Sequence, residues 1–194
     1  MKEQSISAII LAGGKNTRFL GFNKALLKIN EVRIIDLILK VLRSVFSQII
    51  IITNRSSDFS EFKDIQIKKD LIKNRGPLGG IYTGLKAIDT EYAFFVACDM
   101  PFLNLSLIKR LLKISRDGNY DCIIPYTVAG IESLHGMYSK QILKKLESLL
   151  KTNTNLSVVK MLAHFNCKYV KIKKEELSSV LNINTITDLK KAII

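Results

Sequence analysis

Histidine and cysteine are scarce in this sequence, and long apolar runs are missing. Among 194 residues there are two histidines and three cysteines, and Cys98, Cys122 and Cys167 show no C-x-x-C spacing. This pattern argues against a disulfide framework or a zinc site and favours small buried thiols in a reducing compartment. No apolar run approaches the roughly 20 residues that cross a bilayer, and no signal segment precedes Gly13. We therefore expect a soluble, cytoplasmic protein with no membrane partner.

Acidic residues are also few relative to basic ones. The sequence has 17 Asp and Glu against 30 Lys and Arg, and its formal net charge is +13. Such a charge suits nucleic-acid binding when it is concentrated on one face. Here residues 51–100 are neutral overall, and no run of residues collects the charge. We expect no nucleic-acid partner, although a diffuse positive field would attract anionic substrates.

Apolar runs alternate with segments of helical periodicity along the chain. Hydrophobic residues make up 47% of the sequence, which is enough for one sizeable core. The patterns predict strands at residues 6–12, 48–54, 65–67, 91–98, 121–125, 132–138 and 168–172, with a short extended segment at 25–29. They predict helices at 33–46, 57–64, 77–88, 105–116, 139–151, 155–165 and from about 186 onward. We therefore expect an α/β fold in three layers, Rossmann-like, with a mostly parallel central sheet, helices on both faces and all 194 residues in a single domain.

The first predicted strand ends in a glycine-rich, basic loop. Leu11 and Ala12 lead into Gly13 and Gly14, and the cations that follow within ten residues are Lys15, Arg18 and Lys24. Successive backbone N–H groups in such a loop form a concavity that binds anions, and glycine lets a ligand approach the backbone closely. The loop therefore predicts a nucleoside triphosphate site.

Two common phosphate-binding motifs do not fit this loop. In the P-loop frame, Ile9 stands where the first glycine belongs and Asn16 where a hydroxyl belongs. The dinucleotide motif G-x-G-x-x-G fails because the next glycine after Gly14 is Gly21. The site must belong to another class of nucleotide-binding protein.

Polar side chains follow three further predicted strands. Asn54, Asp70 and Asp99 each stand just beyond an apolar run. Ligands of parallel sheets bind beyond the carboxyl ends of the strands, so these residues should meet the glycine loop at one edge. A lone carboxylate such as Asp99 is costly at a buried strand end unless it is paired or binds a metal, and Mg²⁺ favours one or two carboxylates plus phosphate oxygens. His135 and His164 are assigned no catalytic role.

The order and spacing of these motifs resemble those of a known family. Leu-Ala-Gly-Gly followed by Arg18 and Lys24 resembles the signature of nucleotidyltransferases, and its Gly-Gly form is similar to that of the molybdenum cofactor guanylyltransferases. Relatives that use CTP more often carry Leu-Ala-Ala-Gly. The chain departs from the signature at Phe19, Leu20 and Asn23, the last of which is usually Asp. Later segments that match in the family's order are Gly76-Pro77-Leu78-Gly79-Gly80, Asp99-Met100-Pro101 and Asn182-Ile183-Asn184-Thr185.

The resemblance implies a reaction and a set of roles. The reaction would transfer GMP from GTP to the terminal phosphate of molybdopterin, or of its molybdenum form, with Mg²⁺ as cofactor. The catalytic residues would be Arg18, Lys24 and Asp99, with Asp99 as the metal ligand, and Asn182 and Asn184 would lie beside the pterin. The nucleotide would be bound by Leu11, Ala12, Gly13, Gly14, Lys24, Asn54, Asp70 and Asp99. The resemblance also allows transient contact with other proteins of the cofactor pathway.

Three alternatives remain open from the sequence. The protein could be a nucleotidyltransferase of the same fold that uses CTP or a sugar phosphate acceptor. Because Asn23 replaces the usual Asp, it could instead be a GTP-binding module without catalytic activity. A nucleic-acid binder would show retention on DNA or RNA that falls steeply as salt rises.

Overall fold

The computed structural model describes residues 6–13, 23–72, 74–153 and 155–193. Its strands are β1 (Ile6–Leu11), β2 (Lys28–Ile29), β3 (Val32–Arg33), β4 (Ile49–Ile52), β5 (Gln66–Lys68), β6 (Tyr92–Ala97), β7 (Cys122–Thr127), β8 (Gly130–Ile131), β9 (His135–Ser139) and β10 (Cys167–Lys171). Its α-helices are α1 (Ile34–Val45), α2 (Pro77–Ala87), α3 (Leu105–Asp117), α4 (Leu143–Thr152), α5 (Val158–Leu162) and α6 (Ile186–Ile193). Short 3₁₀ helices lie at Lys24–Leu26, Ser56–Phe59, Lys140–Ile142 and Lys174–Val180.

Within these ranges, eight strands form one sheet in the order β10-β7-β9-β6-β1-β4-β5, with β8 beside β7. The half around β1 is parallel, because β1 pairs in parallel with both β4 and β6, and β4 with β5. Strand β9 runs antiparallel to β6 and β7 on its two sides, and β7 pairs in parallel with β10. The carboxyl ends of β1, β4, β5 and β6 therefore lie at one edge, where β9 begins.

Alternate residues of the central strands enter two separate cores. On β1, Ala8 and Ile10 pack among residues of α1 and α3, whereas Ile9 and Leu11 pack among residues of α2, α4 and α5. Successive side chains of a strand point to opposite faces, so a strand covered on both faces reads as a continuous apolar run. This arrangement confirms the predicted three-layer α/β fold with a mostly parallel sheet.

Two glycines bring α2 unusually close to the sheet. A Cβ on Gly80 would lie 2.8 Å from Leu11 Cδ2, and one on Gly84 would lie 2.7 Å from Phe95 Cε1. Interiors are close-packed, so neither position has room for a methyl group without displacing its neighbour. The close approach sets the amino-terminal end of α2 over the ends of the parallel strands.

Several local predictions were wrong. The segment predicted to be extended at 25–29 is so only from Leu27 onward, because Asn23 caps a 3₁₀ helix at Lys24–Leu26, whereas Leu27 is extended and Lys28–Ile29 pairs with another strand. The helix predicted at 57–64 is a 3₁₀ helix at Ser56–Phe59, and the helix predicted at 155–165 is shortened to Val158–Leu162. Ser157 begins that short helix by accepting from the N–H of Lys160.

Cys98, Cys122 and Cys167 are free thiols in the structure. None of the described helices is long and apolar enough to cross a membrane.

Candidate active site

A cavity of about 570 Å³ opens at the carboxyl ends of β1, β4, β5 and β6. Seven of the residues predicted for the site line it: Leu11, Gly13, Lys24, Asn54, Asp70, Asp99 and Asn182. The other described residues of its wall are Ile52, Thr53, Asn74, Gly76, Pro77, Gly80, Ala97, Cys98 and Leu134. Motifs spread from the first to the last part of the chain thus meet in one place.

Backbone hydrogen bonds beyond the strand ends hold the polar residues in position. The N–H of Ala12 donates to Ile52 O at 2.9 Å, and the N–H of Cys98 donates to Leu11 O at 3.1 Å. The N–H of Thr53 donates to Lys68 O at 2.9 Å. These bonds continue the sheet ladder past its last residues, so the adjoining side chains are fixed relative to one another.

Lys24 bridges two elements at the cavity wall. Its Nζ donates to Asp99 Oδ2 at 3.3 Å and to Asn184 Oδ1 at 3.1 Å. The side chains of Lys24 and Asp99 are 16% and 19% exposed, so solvent only partly screens the pair. The missing aspartate at position 23 therefore does not leave Lys24 unpaired, because Asp99 supplies the carboxylate from a distant strand end.

Asp99 has an oxygen atom that suits a metal ion. Its Oδ1 is buried, and no group in the described part of the chain donates a hydrogen bond to it. The backbone carbonyl of Asp99 accepts from the N–H of Ile183 at 2.8 Å, which helps to fix the residue. A buried carboxylate oxygen that accepts no hydrogen bond can serve as a ligand for a hard divalent cation.

The metal would draw most of its other ligands from outside the chain. No group of three or more Asp, Glu, His or Cys side chains is gathered for a metal in the described ranges. Mg²⁺ is commonly held by one or two carboxylates, with waters and substrate phosphates completing its shell. One carboxylate at Asp99 is compatible with that mode of binding.

Asp70 is held by a local network and still faces the cavity. Its Oδ1 accepts from the N–H of Ile72 and from Thr83 Oγ1, both at 3.1 Å. A Cβ on Gly79 would lie 2.9 Å from each oxygen of Asp70, so the side chain can sit there only because residue 79 is glycine. The Gly79-Gly80 pair thus has a packing role on both sides, against Asp70 and against Leu11.

The amino-terminal end of α2 forms another part of the wall. Gly76 precedes the helix at φ +52°, a conformation that glycine adopts readily, and Pro77 occupies the first helical position. Free N–H groups and the helix dipole make such an end favourable for an anion. Arg75 does not add to this charge in the cavity, since its guanidinium donates to the carbonyls of Leu150 and Asn153 at the end of α4.

Some predicted residues lie elsewhere. Ala12 is buried and is absent from the described cavity wall, so only its backbone supports the site. Asn184 is likewise absent from that wall and reaches the site through Lys24. Gly14 and Arg18 lie outside the described residues.

The sequence did not indicate Leu134 or Asn74 as part of the site. Leu134 reaches the cavity because β9 is antiparallel and begins at this edge, and its carbonyl accepts from the N–H of Ala97 at 3.0 Å. Asn74 has a φ of +60°, which is unusual for a residue with a side chain. A polar residue before Gly76-Pro77 is a signal that could have suggested a tight turn there.

Two titratable groups near the site are held neutral. Burial and the adjacent Asp99 raise the pKa of the Cys98 thiol to about 12, so it is a poor nucleophile at neutral pH. Burial lowers the pKa of His135 to about 3, and its Nε2 lies 3.2 Å from Ser179 Oγ. The geometry thus agrees with assigning no catalytic role to His135.

The family model for the MobA-like NTP transferase domain matches residues 8–167. The chain belongs to this family. It is therefore a nucleotidyltransferase, and the resemblance noted in the sequence is confirmed.

Relatives of known name agree with this assignment. A probable molybdenum cofactor guanylyltransferase from Clostridium perfringens (strain SM101 / Type A) is 37% identical, over 93% of this chain and 92% of the relative. A protein of the same name from Peptoclostridium acidaminophilum is 34% identical, over 95% of this chain and 86% of the relative.

Solved structures share the fold. Molybdopterin-guanine dinucleotide biosynthesis protein A from Archaeoglobus fulgidus superposes with a TM-score of 0.81 at 24% identity, with 96% of each chain covered. The 4-diphosphocytidyl-2C-methyl-D-erythritol synthase from Anaerococcus prevotii gives a TM-score of 0.77 at 16% identity, over 98% of this chain and 95% of the other. The same MobA-like fold therefore occurs in enzymes named for different nucleotides.

Proposed function

We propose that this MobA-like enzyme transfers GMP from GTP to the terminal phosphate of molybdopterin or its molybdenum form. The products would be the guanine dinucleotide cofactor and pyrophosphate. The names of its relatives support this choice of substrates. The observation that carries the proposal is the cavity lined by Gly13, Lys24 and Asp99, in which Asp99 Oδ1 is buried without a donor from the described part of the chain. We place the enzyme in the cytoplasm, as one catalytic domain with transient contacts to other proteins of its pathway.

The acceptor can act as nucleophile without a general base. The second pKa of a phosphate monoester is about 6, so the terminal phosphate is mostly a dianion at neutral pH. One of its oxygens forms a bond to the α-phosphorus of GTP. The bond from that phosphorus to the bridging oxygen of the β-phosphate breaks, and its electron pair leaves with pyrophosphate. The main obstacle is repulsion between two polyanions.

The chain offers several groups that reduce this repulsion. The ammonium of Lys24 and the amino-terminal end of α2 both lie at the cavity wall. The backbone of Gly13 and Gly14 is assigned to the triphosphate, and the guanidinium of Arg18 to the developing charge. Preorganised positive groups of this kind commonly provide the largest part of rate enhancement in phosphoryl transfer.

Mg²⁺ bound by Asp99 would supply further positive charge to the phosphate oxygens. Asp99 fits that role because its Oδ2 is paired with Lys24 while its Oδ1 has no donor in the described part of the chain. The bond from Ile183 N–H to the backbone carbonyl of Asp99 and the Lys24 ammonium on Oδ2 together orient the carboxylate before any ligand arrives.

Asn54 and Asp70 are assigned to the nucleoside. Both line the cavity beyond the ends of β4 and β5, and β1 separates these strands from β6, which precedes Asp99. The ring N–H and amino group of guanine are adjacent donors, so a carboxylate such as Asp70 can accept both. Cytosine presents a donor beside an acceptor on the corresponding edge and cannot make the same pair of bonds.

A nucleotide panel tests the proposal. GTP, ATP, CTP and UTP are titrated into the protein with Mg²⁺ by calorimetry, and pyrophosphate release is then followed after molybdopterin is added. We expect the tightest binding for GTP and release only with both substrates present. Preference for CTP would overturn the choice of nucleotide, and GTP binding without release would overturn the transfer.

A further inference from the structure

Asn23 uses both ends of its side-chain amide, although it is only 6% exposed. Its Oδ1 accepts from the N–H of Ala25 at 3.1 Å and caps the 3₁₀ helix Lys24–Leu26. Its Nδ2 donates to Asp58 Oδ2 at 2.9 Å. The two bonds fix the orientation of the amide, because only the oxygen can accept and only the nitrogen can donate.

Asp58 belongs to a different segment of the chain, which follows the cavity residues Thr53 and Asn54. It lies on the 3₁₀ helix Ser56–Phe59, which starts two positions after Asn54. The N–H of Arg55 donates to Thr53 Oγ1 at 3.1 Å, which fixes the start of this segment to the end of β4. The bond between Asn23 and Asp58 therefore joins the segment that carries Lys24 to the segment that carries Asn54.

An aspartate at position 23 could make only one of these two contacts. It would accept from Ala25 as asparagine does, but a carboxylate has no donor for Asp58. Two carboxylates at hydrogen-bond distance repel each other while both are ionised. Arg55 Nε lies 3.7 Å from Asp58 Oδ2 and offsets part of this charge, but the Arg55 side chain is 52% exposed and its effect is screened.

We infer that Asn23 and Asp58 form a positioning pair that sets the place of Lys24 in the active site. The inference rests on the proposed function, because it takes the Lys24 ammonium to act on the triphosphate. In this chain the asparagine is not a weakened form of the family's aspartate. It is one half of an amide–carboxylate bond that orders the phosphate side of the cavity against the nucleoside side.

The pair can be tested by exchanging its two members. We compare the native chain with Asn23→Asp, Asp58→Asn and the variant that carries both changes. Only Asn23→Asp places two carboxylates together, so it alone should weaken binding of GTP with Mg²⁺, by about tenfold. Asp58→Asn keeps an acceptor for Asn23, and the double variant restores a donor on residue 58, so both should stay within about threefold of the native affinity. Asp64→Asn removes one negative charge at an exposed position, so it is the control for the charge lost in Asp58→Asn.

A second cycle asks whether Asn23 acts through Lys24. The Asn23→Asp change is repeated in a Lys24→Gln background, where the ammonium is already absent. We expect its effect on GTP affinity to fall from about tenfold to less than twofold. An equal loss in both backgrounds would overturn the positioning role, as would native affinity in Asn23→Asp.

Thermal unfolding separates this inference from the proposed function. If the native chain failed to bind GTP with Mg²⁺, the proposed substrate would be wrong. The pair would still be supported if Asn23→Asp alone among the four proteins unfolded at a lower temperature. If all four unfolded together, the repulsion that the inference requires would be absent and the inference would fall.

Discussion

Lys24 and Asn184 are 160 positions apart in the sequence, and Lys24 Nζ donates to Asn184 Oδ1 at 3.1 Å. The same nitrogen pairs with Asp99, whose backbone carbonyl accepts from Ile183. The segment assigned to the pterin is therefore attached directly to the group assigned to the triphosphate. A change in the residues that contact one proposed substrate should therefore alter the affinity for the other.

Replacing Asn184 should affect the nucleotide as well as the acceptor. Asn184→Ala removes one of the groups that hold the Lys24 ammonium, and a hydrogen bond to a charged group contributes about 1 kcal/mol where solvent reaches it. We expect the Kd for GTP with Mg²⁺ to rise about fivefold, measured by calorimetry without acceptor. Asn182→Ala is the comparison, because Asn182 Nδ2 donates to Val180 O and not to Lys24. Equal nucleotide affinity in both variants would contradict the link through Lys24.

Replacing Asp99 should remove most of the activity. Asp99→Asn keeps the shape of the side chain but loses the charge that would hold the metal and that pairs with Lys24. Loss of one such electrostatic group lowers kcat by about 100-fold or more in comparable sites. The measurement is pyrophosphate release across a Mg²⁺ titration, with Asp89→Asn, at an exposed position, as the matched control. Near-native release by Asp99→Asn would remove Asp99 from the reaction.

Stability should fall between pH 7 and pH 5 because of His135. Burial lowers the pKa of this residue to about 3, whereas an unfolded histidine titrates near 6.5. Between these values the unfolded chain binds a proton that the folded chain does not, so the free energy of unfolding decreases as pH falls. The expected loss from pH 7 to pH 5 is about 2 kcal/mol. Urea denaturation at several pH values measures it.

The second histidine provides the control for that experiment. His164 is exposed, and His164→Gln is the matched substitution at a histidine outside the core. His135→Gln should lose the part that belongs to burial of the imidazole, since glutamine can still bond to Ser179 without titrating. An unchanged pH profile in His135→Gln would mean that another group controls stability in this range.

Cys167 should be the thiol that reacts first in the folded protein. It stands opposite Cys122 in the register of β7 and β10, and a hydrogen bond from the Cys122 thiol lowers its pKa. The same bond and burial raise the pKa of Cys122, and burial raises that of Cys98 to about 12. The thiolate is the reactive form, so iodoacetamide at pH 8 should modify Cys167 first. Mass spectrometry identifies the modified residue, and Cys122→Ala should slow the reaction by removing the donor.

The sequence predicted the parallel part of the fold well because local patterns define it. Apolar runs that end in polar residues predicted β1, β4 and β6, and the edge rule for parallel sheets then placed Asn54, Asp70 and Asp99 together. The structure brings these three residues to one cavity. No knowledge of long-range contacts was needed for that step.

The remaining features depend on contacts that no local pattern reveals. The pattern of residues 132–138 does not indicate that β9 runs antiparallel, so Leu134 was not predicted to line the cavity. The partner of Lys24 lies 75 positions away at Asp99, and the partner of Asn23 is Asp58. From the sequence, Asn23 was only a departure from the family's pattern. Its structural role depends on the carboxylate of Asp58, which folding brings beside it.

The reversed direction of β9 divides the cavity wall into two kinds of chain segment. Residues beyond β1, β4, β5 and β6 are at the exits of parallel strands and are tied by ladder hydrogen bonds to their neighbours. Leu134 instead lies at the entrance to a strand, just after the β7–β8 hairpin. Lengthening or shortening that hairpin would reshape one side of the cavity without moving the ladder. Changes in the length of this hairpin could thus alter specificity for the acceptor, while the strand-end residues proposed to bind the nucleotide stayed in place.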